Sequence, residues 1–295
     1  MRYRVLWIVV AMSLCLSIVG AVAIANIPKI DQSTRYHQHL EANAKPSCGH
    51  TDGSFCTHLP LIEINTGGVE IPGEFYRDEN GVEHPTLSES GDPYVLANVN
   101  IFDNPTQNNH LTDEAGDTGT VRIKVRGNSS RYHDKLGYSL TFVNELGENE
   151  SHAVMGMDAH HEWALHGPFL DQTLIRNYMW YNIAGEIMDY APNVRFCEAF
   201  LNGEYIGVYV MVETITAGQV ENSRLNLSVN KKDQSFTGYC IRMDRGSTEF
   251  KNLDVFSIYT LRNKQKIDMV YPGTSNLTPE MKQQIEQDFS YFETI

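Results

Sequence analysis

Positive charge is scarce in this 295-residue chain: 23 Lys and Arg stand against 37 Asp and Glu, for a net charge of −14. That balance excludes non-specific affinity for nucleic acid or anionic lipid through the body of the protein, since such binding depends on many surface cations. Any anion site must therefore be local. Internal repeats and low-complexity tracts are missing, which argues against a solenoid or array. Disorder is excluded as well, because 41% hydrophobic and 20% charged residues suffice to bury a substantial core.

Charge is absent altogether from residues 5–25, directly after Met-Arg-Tyr-Arg. An uncharged apolar run of this length can span a bilayer as a helix, and the basic residues before it place residues 26–295 outside the cytoplasm. Ala23-Ile24-Ala25 also offers a cleavage site, so a retained anchor and a cleaved signal peptide both remain open, with length favouring the anchor. Cys15 lies inside the run without the small preceding residue of a lipoprotein signal. Residues 26–47, rich in Gln, His, Asn and Lys, read as a polar tether, and the folded domain is expected over 48–295.

Cys48 and Cys56 bracket a short loop containing Gly49 and Gly53. In an exported chain they are expected to form a disulfide. The alternative is a metal site using His50 and His58, each two residues after a cysteine, although that spacing matches none of the common zinc patterns. Cys197 and Cys240 sit in strand-like apolar runs and read as buried thiols.

Strand periodicity marks residues 59–65, 94–102, 121–125 and 138–142, with residues 72–85 and 104–119 read as loops. Asp171 is placed as the N-cap of a helix running to Met188, with Leu170, Leu174, Tyr178, Tyr181, Ala184 and Met188 on its packed face. Asn202-Gly203 separates two apolar runs and predicts a tight hairpin, because both residues tolerate positive φ. A further strand is expected at 238–244. The last segment carries Met281, Ile285, Phe289 and Phe292 at helical spacing, an apolar stripe that would need a covering surface.

Between Val125 and Tyr138, two strands are joined by twelve residues holding two arginines, two serines, an asparagine and a lysine. Such a loop offers hydroxyl, backbone and cationic donors to an anionic ligand. Arg126 and Asn128 can equally lock a turn, and Lys135 can equally be a solvated cation.

RGNSSR followed by DK and Tyr138, LDQTLIRNYMWYNIAGEIM, LNGEYIGVYVMVETI, GYCIRMDRG and YPGTSNLTPEMKQQIEQDFSYFE occur in that order. Together they resemble the CotH kinase family, named for a spore-coat protein, from about Leu59 to Ile295. The resemblance implies an α+β protein: a β-rich N-terminal region leading into an atypical kinase-like nucleotide lobe, with ATP and Mg²⁺ as cofactors and serine phosphorylation as the activity. It assigns Arg126, Ser129, Ser130, Arg131 and Lys135 to the phosphates, Arg176 to a helix beside the nucleotide, and Glu213 to a connector near adenine. Helix capping for Arg176 and an ordinary strand end for Glu213 remain the alternatives. Asp244-Arg245 matches an acidic-basic pair of the family. The family's Lys-Lys pair is reduced here to Lys135. The catalytic aspartate and acidic Mg²⁺ motif of the second lobe are expected beyond Ile295, which makes this chain an expected N-terminal part. The substrate implied is a serine-rich envelope or coat protein. A non-catalytic envelope scaffold or binding module is the alternative.

Overall fold

Alternating apolar residues dictate a sheet buried on one face, and seven such strands close it into a barrel in the computed structural model. The structure describes residues 54–188, 190–218, 224–242, 255–257, 266–273 and 275–294, together with Ser13, residues 37–40, Lys45 and Cys48. Apart from Ser13, the apolar run at 5–25 lies outside them, as do His50 and Asp244-Arg245. Among the described residues no helix is long and apolar enough to cross a membrane. Chain contacts divide Met1–Arg35 from Tyr36–Ile295, and the following concerns the second unit.

The strands are β1 (Leu61–Asn65), β2 (Phe75–Arg77), β3 (Glu83–Pro85), β4 (Val95–Phe102), β5 (Asp117–Arg126), β6 (Gly137–Val143), β7 (Glu162–His166), β8 (Val194–Leu201) and β9 (Glu204–Glu213). Barrel order is β1-β4-β5-β6-β7-β9-β8, closed by β8 against β1. That closing pair is parallel, Leu61 facing Glu198, whereas the other barrel neighbours are antiparallel. Inward positions, including Ile62, Ile64, Val99, Ile123, Leu140, Trp163, Leu165 and Met211, form one core. Asn202 and Gly203 both adopt positive φ, +50° and +83°, and make the expected β8–β9 hairpin.

Helix α1 (Arg176–Ile187) lies on the outer face of the barrel, where Tyr178 and Tyr181 meet Ala164, Val194, Phe196, Val210 and Val212. It begins four residues later than expected, with Ile175 as its N-cap, because Leu174 has φ +62° and interrupts helical geometry. Its packed face also differs. Asn182 is buried, its Nδ2 donating to the Tyr178 carbonyl, while Leu170 and Met188 are exposed.

Two loops read from sequence contain structure. Residues 72–85 include the β2–β3 hairpin, and residues 104–119 carry the fully buried Asn109. Part of the segment read as a tether is docked: Gln38 exchanges side-chain hydrogen bonds with the backbone of Phe196, and the Tyr178 hydroxyl accepts from the His39 amide. At the other end of the unit, α2 (Pro279–Thr294) lies against a sheet of Cys240–Arg242, Lys266–Tyr271 and Val255–Ser257. Met281 and Ile285 are buried and Phe289 packs beside them, so the stripe is largely covered by the chain itself; Phe292 alone of the four stays exposed.

Candidate functional site

The loop between β5 and β6 stands at one end of the barrel, where Arg126 faces Gly137 across the sheet. Gly127 takes φ +123° and lets the chain turn sharply, with the Ser130 hydroxyl folded over the space a Cβ would fill. Ser129 and Ser130 open a short 3-10 turn, Ser129–Tyr132, and both are exposed. Arg126 alternates outward from buried Val125, and Tyr181 of α1 is within electrostatic reach of its guanidinium.

Lys135 points the other way, into the mouth of the barrel. Its Nζ donates to the Val208 carbonyl at 2.6 Å and stands 4.7 Å from the centre of the Tyr209 ring. Burial lowers its pKa, opposed by the field of Glu198. An ammonium carries three donors, so the Val208 carbonyl does not exhaust it. Gly167, just beyond β7, allows this approach: a Cβ there would meet Leu136 O at 2.7 Å and Lys135 Cγ at 3.0 Å. His166, at the end of β7, feels both cations: its pKa is depressed first by burial and then by Arg126, with Lys135 adding to it and Asp171 opposing. The rim thus gathers Arg126, Lys135, a neutral imidazole and two serine hydroxyls. His166 was not singled out from sequence, and the signal was modest: a histidine closing a short apolar run just before Gly167.

The remaining sequence-predicted residues have structural partners. Arg131 Nη1 donates to the Gly73 carbonyl at 2.8 Å, and its guanidinium stacks 4.6 Å from the Phe75 ring. It pins the loop to the β2 segment. Arg176 starts α1: its amide donates to Asp171 Oδ2 at 2.8 Å and its Nε lies 3.5 Å from Oδ1, while Thr173 donates to the same carboxylate. These donors hold the Asp171 carboxyl below its usual range, the Thr173 hydroxyl first among them. Glu213 faces Trp163, at the opposite end of β7 from His166. It is buried, paired with Arg224 at 2.7 Å and accepting from the Asn193 amide at 2.8 Å. The structure therefore brings Arg126, Ser129, Ser130 and Lys135 to one rim and holds Glu213 away from it.

Cys48 and Cys56 are free thiols in the structure, where the sequence led us to expect a bridge. His58 is exposed and lines a cleft of about 650 Å³ with Lys45, Asp103, Tyr178 and Arg195. Cys197 is fully buried, which raises its pKa well above the usual thiol range.

The β5–β6 rim thus sets two cations and two hydroxyls on a β-barrel flanked by a helix, and sequence comparison gives the family. Residues 123–293, more than half of the chain, match the family model described as CotH kinase protein. The chain belongs to the CotH kinase family. Comparison with curated proteins gave no match.

The matched region begins inside β5, so β1 and β4 precede it although the barrel requires both. The rim suits the phosphates of ATP by donor type. Mg²⁺ prefers oxygen ligands, and among the described residues the group of three converging ligands is instead Cys48, Cys56 and His110. No step through Mg²⁺ is derived from this chain.

Proposed function

We propose that this protein is an exported, membrane-tethered kinase of the CotH type that transfers phosphate from ATP to serine in an envelope or coat protein, and that the β5–β6 rim is its phosphate-binding element. The observation that carries the reading is the placement of Arg126 and Lys135 at the two ends of the β5–β6 loop, at one end of the barrel and within the family-matched region. Phosphoryl transfer relies chiefly on positioning and charge neutralisation. Arg126 reaches the phosphate oxygens from outside the rim, Lys135 from the barrel mouth, and the hydroxyls of Ser129 and Ser130 complete the donors. A neutral His166 adds no charge of its own. ATP supplies the transferable group, and Mg²⁺ accompanies it.

The test is nucleotide affinity by calorimetry on the full chain. Removing one charge-assisted hydrogen bond to phosphate costs about 1.5–3 kcal/mol, so Arg126→Ala should weaken ATP binding by roughly 10- to 100-fold with an unchanged circular dichroism spectrum. Lys135→Ala should act in the same direction. Binding that ignores both substitutions, or no binding in the parent protein, transfers the case to a second reading. That reading is an envelope-displayed scaffold, and the engagement of Lys135 by Val208 and of Glu213 by Arg224 favours it.

A further inference from the structure

Cys56 and His110 stand opposite each other because of backbone pairing. Thr57 and Asn109 exchange both hydrogen bonds of an antiparallel bridge, at 3.2 and 2.7 Å. The next pair outward in that register is Cys56 with His110, a close, non-hydrogen-bonded position where the two side chains share a face. The pairing is itself anchored by Asn109, which is fully buried. Its Nδ2 donates to the Leu59 carbonyl at 2.7 Å and its Oδ1 accepts from the Asn104 amide at 2.7 Å. Beneath it Phe55, Leu111 and Ala115 pack on Leu61, Phe102 and Phe200, so the platform is rigid. Cys48 is brought to the same place, and one ligand atom from each of Cys48, Cys56 and His110 lies within 4.8 Å of the others.

The imidazole is oriented for ligation. His110 Nδ1 faces Asp113 Oδ2 at 3.1 Å, and the same oxygen accepts from the His110 amide at 2.9 Å. A carboxylate on Nδ1 keeps the proton there and presents Nε2 with its lone pair, the arrangement that supports metal-bound histidines. Asn108 Nδ2 donates to Cys56 Sγ at 3.4 Å, an approach that favours a thiolate. A disulfide would use the two sulfurs and leave this oriented histidine without a role.

We infer that Cys48, Cys56 and His110 bind a thiophilic divalent cation of the zinc type, positioned by Asp113. Two sulfurs and one nitrogen select zinc over magnesium or calcium, which take oxygen, and the fourth position falls to water or a further side chain. The site lies beside Phe102 and Leu61, at the end of the barrel away from Arg126, so its role is structural. It fastens the segment that precedes the barrel to the loop between β4 and β5. The histidine involved is neither His50 nor His58 but one more than fifty residues on in sequence.

The experiment is metal analysis of the full chain purified under reducing conditions with zinc supplied. The expected result is about one zinc per chain, with Cys48 and Cys56 resistant to alkylation until a chelator is added, and a melting temperature that falls on chelation. Cys56→Ser and His110→Ala should each abolish stoichiometric zinc. Asp113→Asn, which spares all three ligands, should weaken zinc affinity by about 10- to 100-fold and serves if His110→Ala does not fold. In the cobalt-substituted protein, a thiolate-to-cobalt charge-transfer band should appear and be lost in Cys56→Ser. A Cys48–Cys56 disulfide with no bound metal after reductive purification overturns the proposal. So does zinc retained at full affinity by both His110→Ala and Asp113→Asn.

Discussion

Two buried polar residues, Glu213 and His160, show how a partner sets both the role of a side chain and the cost of changing it. Glu213 accepts from Arg224 and Asn193, and the Arg224 guanidinium stacks 4.9 Å from the Trp163 ring. Removing one charge from such a buried pair leaves the other uncompensated. Glu213→Gln should therefore lower unfolding free energy by about 3–5 kcal/mol, read from the denaturant midpoint at unchanged slope. If stability is untouched while ATP affinity falls, Glu213 serves the nucleotide and not the fold. His160 is a second case. Its Nδ1 accepts from the Glu162 amide at 2.9 Å and its ring is buried beside Arg224, so its pKa falls from 6.5 to about 4, with burial the larger cause. The unfolded chain takes up that proton more readily than the folded one. The stability contributed is thus complete above about pH 6.5 and is lost as pH falls toward about 4. The shift corresponds to roughly 3 kcal/mol. His160→Gln should flatten that limb of the stability profile, measured by chemical denaturation across the range, and an unchanged acid limb would refute the assignment.

Among the secondary elements, those with apolar alternation were legible and those built from charged residues were not. β4, β5, β6, β8 and β9 lie within a few residues of where the pattern puts them, because one face of each is core. β7 has only Trp163, Ala164 and Leu165 between Glu162 and His166, too short a run to announce a strand; its neighbours β6 and β9 define it. β2 and β3 form a largely solvated hairpin, and the available signal was Asn80-Gly81, with Gly81 at φ +77°. The Asp171 signal for α1 was real but acted at a distance, since the carboxylate caps a helix that starts at Arg176. At the rim, residue type alone predicted Arg126 and Lys135 equally. Only the position of the Val208 carbonyl distinguishes a cation on the outer surface from one seated in the barrel mouth. The pairing of Cys56 with His110 left no trace in local spacing, because a bridge between distant segments creates it.

For the whole molecule, the family match and the fold have different limits. Residues 123–293 carry the resemblance, yet β1, β4 and the first part of β5 supply core positions such as Ile62, Ile64, Val95, Val99 and Val121. A fragment restricted to 123–293 lacks two of the seven barrel strands and exposes the apolar faces they cover. It should be insoluble or lack a cooperative thermal transition, whereas the full chain should melt cooperatively; a soluble, cooperatively melting fragment would show that the barrel is dispensable. The parallel seam adds a matter of timing. Leu61 emerges from the ribosome long before Glu198 exists to meet it. Throughout that interval the far side of β1 is an open template to which another nascent chain can add a strand. The yield of folded protein is accordingly set by how long the first strand must wait for the eighth, and slowed translation between them should shift the product toward aggregates.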